Sequence, residues 1–177
     1  MARAKTGAAR VFSRVRLSHA LLCVVLAAGA GAAEAYRLRP GVPMHTDIEL
    51  LAGAGIVVAI MLVGLRALLA KPLLRGLYLA ISEGRFGGGD ADDATRVAQA
   101  IHRQRLVAWS LVVVAGLFNV VAYATCGREM NRILALALLA WMLLASPRMK
   151  RFEAKVAGGE LEVRRLRQQP GQQQQEG

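Results

Sequence analysis

Four stretches of this chain are apolar on every side, and they restrict what it can fold into more than any other feature. They cover residues 17–35, 48–70, 106–125 and 133–146, and polar side chains in them lie mostly at the ends. A helix that is hydrophobic all round needs lipid or a large protein interior around it. A chain of 177 residues and 19.0 kDa has no such interior, and its length suits one compact unit rather than two sizeable soluble domains. Its composition is 55% hydrophobic, and these residues are gathered into the runs instead of being spaced as one face of a soluble helix. The fold class expected is therefore an all-α integral membrane protein.

A crossing takes about 20 apolar residues for about 30 Å of hydrocarbon. The first run, 17–35, meets this with Ser18, His19 and Glu34 near its ends. The second, 48–70, has Glu49 at one boundary and Arg66 at the other, where a long side chain snorkels to the interface. The third is 106–125. The fourth core, 133–146, gives only about 21 Å of helix. Extension to 130–149 restores a full span, with Arg132 and Arg148 reaching the two interfaces.

Lys and Arg set the orientation. Five lie in the basic N-terminal segment 1–16, seven between Arg66 and Arg105, and seven between Arg148 and Arg167. The remaining connections hold only Arg37 and Arg39, then Arg128 and Arg132. Positive charge stays on the cytoplasmic side, so both termini and the connecting loop 71–105 are expected there, with the spans in two antiparallel hairpins. The alternation works only with all four spans.

The end of the first run is ambiguous. Ala33-Glu34-Ala35 has the small-x-small spacing of a signal-peptidase site after a basic n-region. Yet the apolar stretch is closer to a span than to a signal core. Moreover, Ala28-Gly29-Ala30-Gly31 recurs as Ala52-Gly53-Ala54-Gly55 in the second run. A hairpin places the two tetrapeptides at one depth, where small residues let backbones approach closely. Retention is therefore expected, with Gly29 and Gly31 packing against Gly53 and Ala54. The first 33 residues hold five basic residues and no acid, a composition that organellar transit peptides share. A bacterial inner membrane is the expected location, and an organellar membrane the alternative.

Between the second and third spans, Leu73, Leu74, Leu77, Tyr78 and Ile81 recur at helical spacing after Pro72. Proline suits the first turn of a helix, so a short interfacial helix at the headgroups is expected, or else a kinked continuation of the span. Gly87, Gly88 and Gly89 form a joint without the Lys-Ser/Thr ending of a phosphate loop. The cluster Asp90, Asp92 and Asp93 fails as a calcium loop, because Thr95 and Ile101 stand where Gly and Glu are needed. Those aspartates suit a helix N-terminus instead. The helix would start near Asp93, carry Ala94, Val97, Ala98 and Ile101 on one face, and run into the third span. The segment 150–177 is basic and then glutamine-rich, expected to rest partly on anionic lipid and to be disordered beyond Pro170.

The net charge of +11 does not point to nucleic acid, because the basic residues flank the spans and aromatics for base stacking are few. His19 and His102 both fall near the cytoplasmic face, but a haem needs two ligands facing one pocket, usually deeper. His45, beside Met44, lies in an outer connection where two residues make no metal site. Cys23 and Cys126 fall about 21 Å apart along the membrane normal, too far for a bridge within the chain. Asn119 is the most polar side chain deep inside a span, and such a residue commonly bonds a neighbouring helix. No Asp or Glu lies at mid-membrane to drive proton-coupled exchange, and no catalytic set, metal cluster or cofactor fingerprint is visible. The expected role is a non-catalytic accessory, assembly or scaffold subunit, associating with other membrane subunits or with itself. A homo-oligomeric transporter or channel component is the alternative, and a membrane haem protein or enzyme comes third.

Overall fold

The structure, a computed structural model, describes residues 2–41, 49–86 and 92–168. The expectations for Met44, His45, Asp90, Gly87 to Gly89 and the chain beyond Pro170 fall outside these residues. Five helices account for the described chain: α1 (Ala2–Arg37), α2 (Glu49–Ser82), α3 (Asp93–Cys126), α4 (Glu129–Leu144) and α5 (Met149–Gln168). Three of them, α1 to α3, are long and apolar enough to cross a membrane, and a fourth crossing is reached if the α4–α5 pair counts as one broken span. This is a small, multi-pass, all-helical membrane protein.

The chain divides into two compact units. One comprises Leu17–Leu68 and Leu106–Ser146, the other Met1–Arg16, Leu69–Arg105 and Pro147–Gly177. The first holds the four apolar runs and is the membrane unit. Its outward residues are large and hydrophobic: Leu50 is 87% exposed, Ile60 68% and Leu68 76%. Large apolar side chains left this open suit lipid or a partner helix rather than water. Half of the most apolar window of α3 is buried, against 22% for α1 and 17% for α2, so α3 is the central helix. Its Gly116 lets Leu26 of α1 come close, since a Cβ there would stand 2.6 Å from Leu26 Cδ1. The α3–α4 connection is only Gly127 and Arg128. Gly127 adopts φ 66°, the left-handed conformation that glycine takes at a helix C-terminus, and its N–H donates to Tyr123 O at 2.8 Å.

The second unit gathers the first turns of α1, the end of α2, the start of α3 and α5 around one apolar core. Val11, Phe12 and Val15 of α1 are buried, as are Tyr78 and Ile81 of α2, Val97, Ala98 and Ile101 of α3, and Phe152, Val156 and Val163 of α5. The rings of Phe12 and Phe152 meet with centroids 5.3 Å apart, and the Arg105 guanidinium lies over Phe152 at 5.6 Å. A Cβ at Gly159 would stand 2.6 Å from both Tyr78 Oη and Val97 Cγ1, so glycine is what lets α5 approach. Each segment is too polar to bury a core alone, but four such faces bury one together. The helix expected near Asp93 is present. Asp92 Oδ1 accepts from the Thr95 N–H at 3.1 Å as its N-terminal cap, and the expected apolar face is the buried one.

At Pro72 the alternative expectation, continuation of the span, is the one found: α2 runs unbroken through it and no separate interfacial helix begins there. Proline only removes the hydrogen bond to the Leu68 carbonyl, and burial of Tyr78 and Ile81 further along sustains the helix. The fourth run does not extend to residue 149. It ends at Leu144, with the Ala145 N–H bonded back to Trp141 O at 2.9 Å. Pro147 has no N–H to continue the ladder and disfavours helical backbone at Ser146. The 16 residues of α4 therefore span about 24 Å.

Candidate functional site

The polar chemistry of the membrane unit falls into three places. In the first, Asn119 of α3 and Asn131 of α4 are 0% and 1% exposed. The Asn119 side-chain amide donates to Gly55 O of α2 and to Ala115 O of its own helix, both at 2.9 Å. Asn131 donates to Ala52 O at 3.1 Å and to Asn119 Oδ1 at 2.9 Å. Every donor of the pair is used, and only Asn131 Oδ1 is buried with no acceptor role filled. Three helices are pinned together at backbone carbonyls whose second lone pairs are available. A Cβ at Gly55 would stand 2.5 Å from Asn131 Nδ2 and 2.9 Å from Asn119 Oδ1, so that glycine makes room for the pair.

The small-residue contacts therefore differ from the expected hairpin packing. A Cβ at Gly29 would lie 2.9 Å from Leu117 of α3. At Gly31 and at Gly53 it would meet nothing within 4 Å, and Ala54 is half-buried. The glycine contacts run from α1 to α3, and from α2 to the asparagines of α3 and α4. The physical reason is that α3, richest in buried surface, takes up the close approaches. Asn119 was legible as a deep polar residue. Asn131 was missed because it sits in the first turn of the fourth run, where a polar side chain reads as interfacial.

In the second place, His19 is 5% exposed, and its Nε2 bonds to Met142 O at 3.0 Å. Its ring stands edge-on to Trp109 with centroids 4.6 Å apart, which joins α1, α3 and α4. Cys23 Sγ approaches His19 Nδ1 at 3.9 Å, one turn along α1. His102 belongs to the other unit, where burial and then the Arg14 charge push its pKa down. Among the described residues no group of three or more His, Cys, Asp or Glu is gathered to hold a metal ion. The Arg66 guanidinium, expected to snorkel, lies 4.5 Å over the Trp141 ring.

The third place lies toward the last turns of α1 and α3 and the start of α4. Glu34 Oε2 accepts from Tyr123 Oη at 3.0 Å, and Glu34 Oε1 accepts from Arg132 Nη1 at 3.3 Å. Arg132 Nε also faces Glu129 Oε2 at 2.7 Å. Arg37 packs its guanidinium on the Gly127 turn. Beside Glu34 opens a groove of about 350 Å³, lined on α1 by Ala27, Ala30, Gly31 and Ala33, on α3 by Val120, and on α4 by Ala135, Leu136 and Leu139, with Glu34, Tyr123 and Arg132 also on its wall. Glu34 reads as an interfacial residue in the sequence, but its partners lie 89 and 98 residues away and no local pattern pairs them. No protein-family model, curated protein or solved structure matches this chain.

Proposed function

We propose that the chain is a four-span inner-membrane protein in two antiparallel hairpins, with both termini cytoplasmic, acting as a non-catalytic accessory, assembly or scaffold subunit. The observation that carries this reading is the Asn119–Asn131 pair, whose donors are all used within the protein, three of the four between helices and one on the Ala115 carbonyl of α3 itself. A substrate or proton path uses intramembrane polar groups that remain available. His19 is likewise engaged, by Met142 O. The exposed Leu50, Val57, Ile60 and Leu68 of α2 give lipid or a neighbouring subunit a broad apolar surface. Retention of the first span fits the burial of Phe12, Val15 and Leu26, since cleavage after Ala35 would remove all three from their cores.

The test is isolation in mild detergent with and without chemical cross-linking, followed by deletion of the chain. The reading expects stoichiometric partner subunits whose assembly fails in the deletion. A transporter or channel component is the second reading, favoured by the unfilled acceptor on Asn131. It is supported instead if the purified chain assembles only with itself and liposomes containing it show solute flux that Asn131→Leu abolishes.

A further inference from the structure

We propose that the groove between α1, α3 and α4 is a binding site for one phospholipid molecule, taking an acyl chain along its length and an amine-bearing zwitterionic headgroup at its charged end. The site needs only that the unit be embedded in a bilayer and does not depend on the accessory role. Its volume, about 350 Å³, lies toward the low end of the roughly 300–1,000 Å³ typical of small-molecule sites. Its polarity is graded. Ala27 and Leu139 lie about two turns along α1 and α4 from Glu34 and Arg132, which meet each other and Tyr123, so the lining is apolar toward one end and polar at the other. From Ala27 to Glu34 the helix rises about 10 Å, room for a stretch of chain below a headgroup. A transmembrane helix seated there would lay apolar side chains against the ion pair and desolvate it without compensation. An amphiphile matches both ends.

The charged end selects the head. Glu34 and Arg132 are paired at 3.3 Å, Glu34 also accepts from Tyr123 and Arg132 also faces Glu129, yet each side chain remains 41% exposed, so carboxylate lone pairs and guanidinium N–H groups beyond those used are left for a headgroup. A planar guanidinium suits phosphate oxygens, and the carboxylate suits an ammonium. A phosphate and a primary amine separated by a short linker engage the two at once. Gly31 supplies the tail's space. It lines the groove, yet a Cβ on it would meet no protein atom within 4 Å. A side chain added there enters the groove and not the protein.

The experiment uses the full chain in nanodiscs of phosphatidylethanolamine and phosphatidylglycerol. A trace of phosphatidylethanolamine carries a photoactivatable group in its acyl chain, and cross-linked residues are mapped by mass spectrometry. Labelling should concentrate on groove residues and be competed better by phosphatidylethanolamine than by phosphatidylcholine, whose ammonium donates no hydrogen bond. Gly31→Leu should lower that labelling about tenfold, a difference in affinity within reach of a few lost contacts, with thermal unfolding retained. Ala27→Leu, at the apolar end, should act in the same direction and serves if the first variant is unstable. Glu34→Gln should keep the labelling but erase the preference between the two headgroups. Labelling spread evenly over the lipid-facing residues, or unchanged in both groove-filling variants, overturns the site. Equal competition by the two lipids in the unaltered protein overturns the headgroup assignment.

Discussion

Gly53 and Gly55 occupy the same tetrapeptide of α2, and replacing each by alanine should move stability in opposite directions. At Gly55 the added Cβ would stand 2.5 Å from Asn131 Nδ2 and 2.9 Å from Asn119 Oδ1, so the asparagines must shift. Three interhelical hydrogen bonds are at risk: Asn119 to Gly55 O, Asn131 to Ala52 O, and Asn131 to Asn119. At an average of about 0.6 kcal/mol and a maximum of about 1.7 for such bonds in membranes, their loss costs about 2 to 5 kcal/mol. Alanine in place of glycine returns about 1 kcal/mol through helix propensity. The net expectation is a loss of about 1 to 4 kcal/mol. At Gly53 the Cβ meets nothing, so only the propensity gain of up to about 1 kcal/mol remains. The measurement is reversible unfolding in mixed micelles of mild detergent and dodecyl sulfate, where the common propensity contribution cancels between the two variants. Asn131→Ala in the Gly55→Ala background should recover part of the loss, because contacting sites are non-additive. Equal stability of Gly55→Ala and Gly53→Ala, or simple additivity in the double variant, would refute the clash at Gly55.

Gly158 and Gly159 of α5 provide a parallel test in the second unit. Gly159→Ala collides with Tyr78 and Val97, whereas a Cβ at Gly158 meets nothing within 4 Å. The first should cost about 1 to 3 kcal/mol by overpacking, and the second should be neutral or stabilising, as read by proteolysis of α5. Asp93 accepts from Arg167 at 2.6 and 2.9 Å, and that hydrogen bond holds its carboxyl below the usual carboxylate range against the opposing effect of burial. The folded pKa is lowered, so the contribution is present above the unfolded value of about 3.9 and is lost as pH falls below it. Asp93→Asn should lower the thermal midpoint at pH 7, and its gap from the unaltered protein should narrow as pH falls below about 3.9; a gap that stays constant on acidification would count against the pairing. Reporter fusions after Gln168 and near Gly84 should read cytoplasmic, and those near Gly41 and Gly127 should read outside. A fusion after Gln168 on the outer side removes one span. The N-terminus of the purified protein should precede Val11; a chain starting at Tyr36 ends the case for a retained first helix.

The sequence by itself determined where this chain meets lipid. Transfer of a side chain from water to hydrocarbon depends mainly on that side chain, so four apolar runs announce the membrane unit without knowledge of any contact. Helix ends are similarly local. Asp92 before the face of Val97, Ala98 and Ile101 marks the start of α3, and Pro147, which the expected extension to residue 149 passed over, marks the end of α4. Which side chains meet is a property of distant residues, and only the tertiary structure decided it. Two identical Ala-Gly-Ala-Gly tetrapeptides show this: Gly29 faces Leu117, Gly55 faces two asparagines, and Gly31 and Gly53 face open space. Nothing within either tetrapeptide distinguishes these fates, which depend on where α3 and α4 lie. The same holds for Phe152, whose burial in α5 needs Phe12 from the opposite end of the chain. A polar segment with a thin apolar stripe looks unfoldable alone, and it folds because three other thin stripes converge on it.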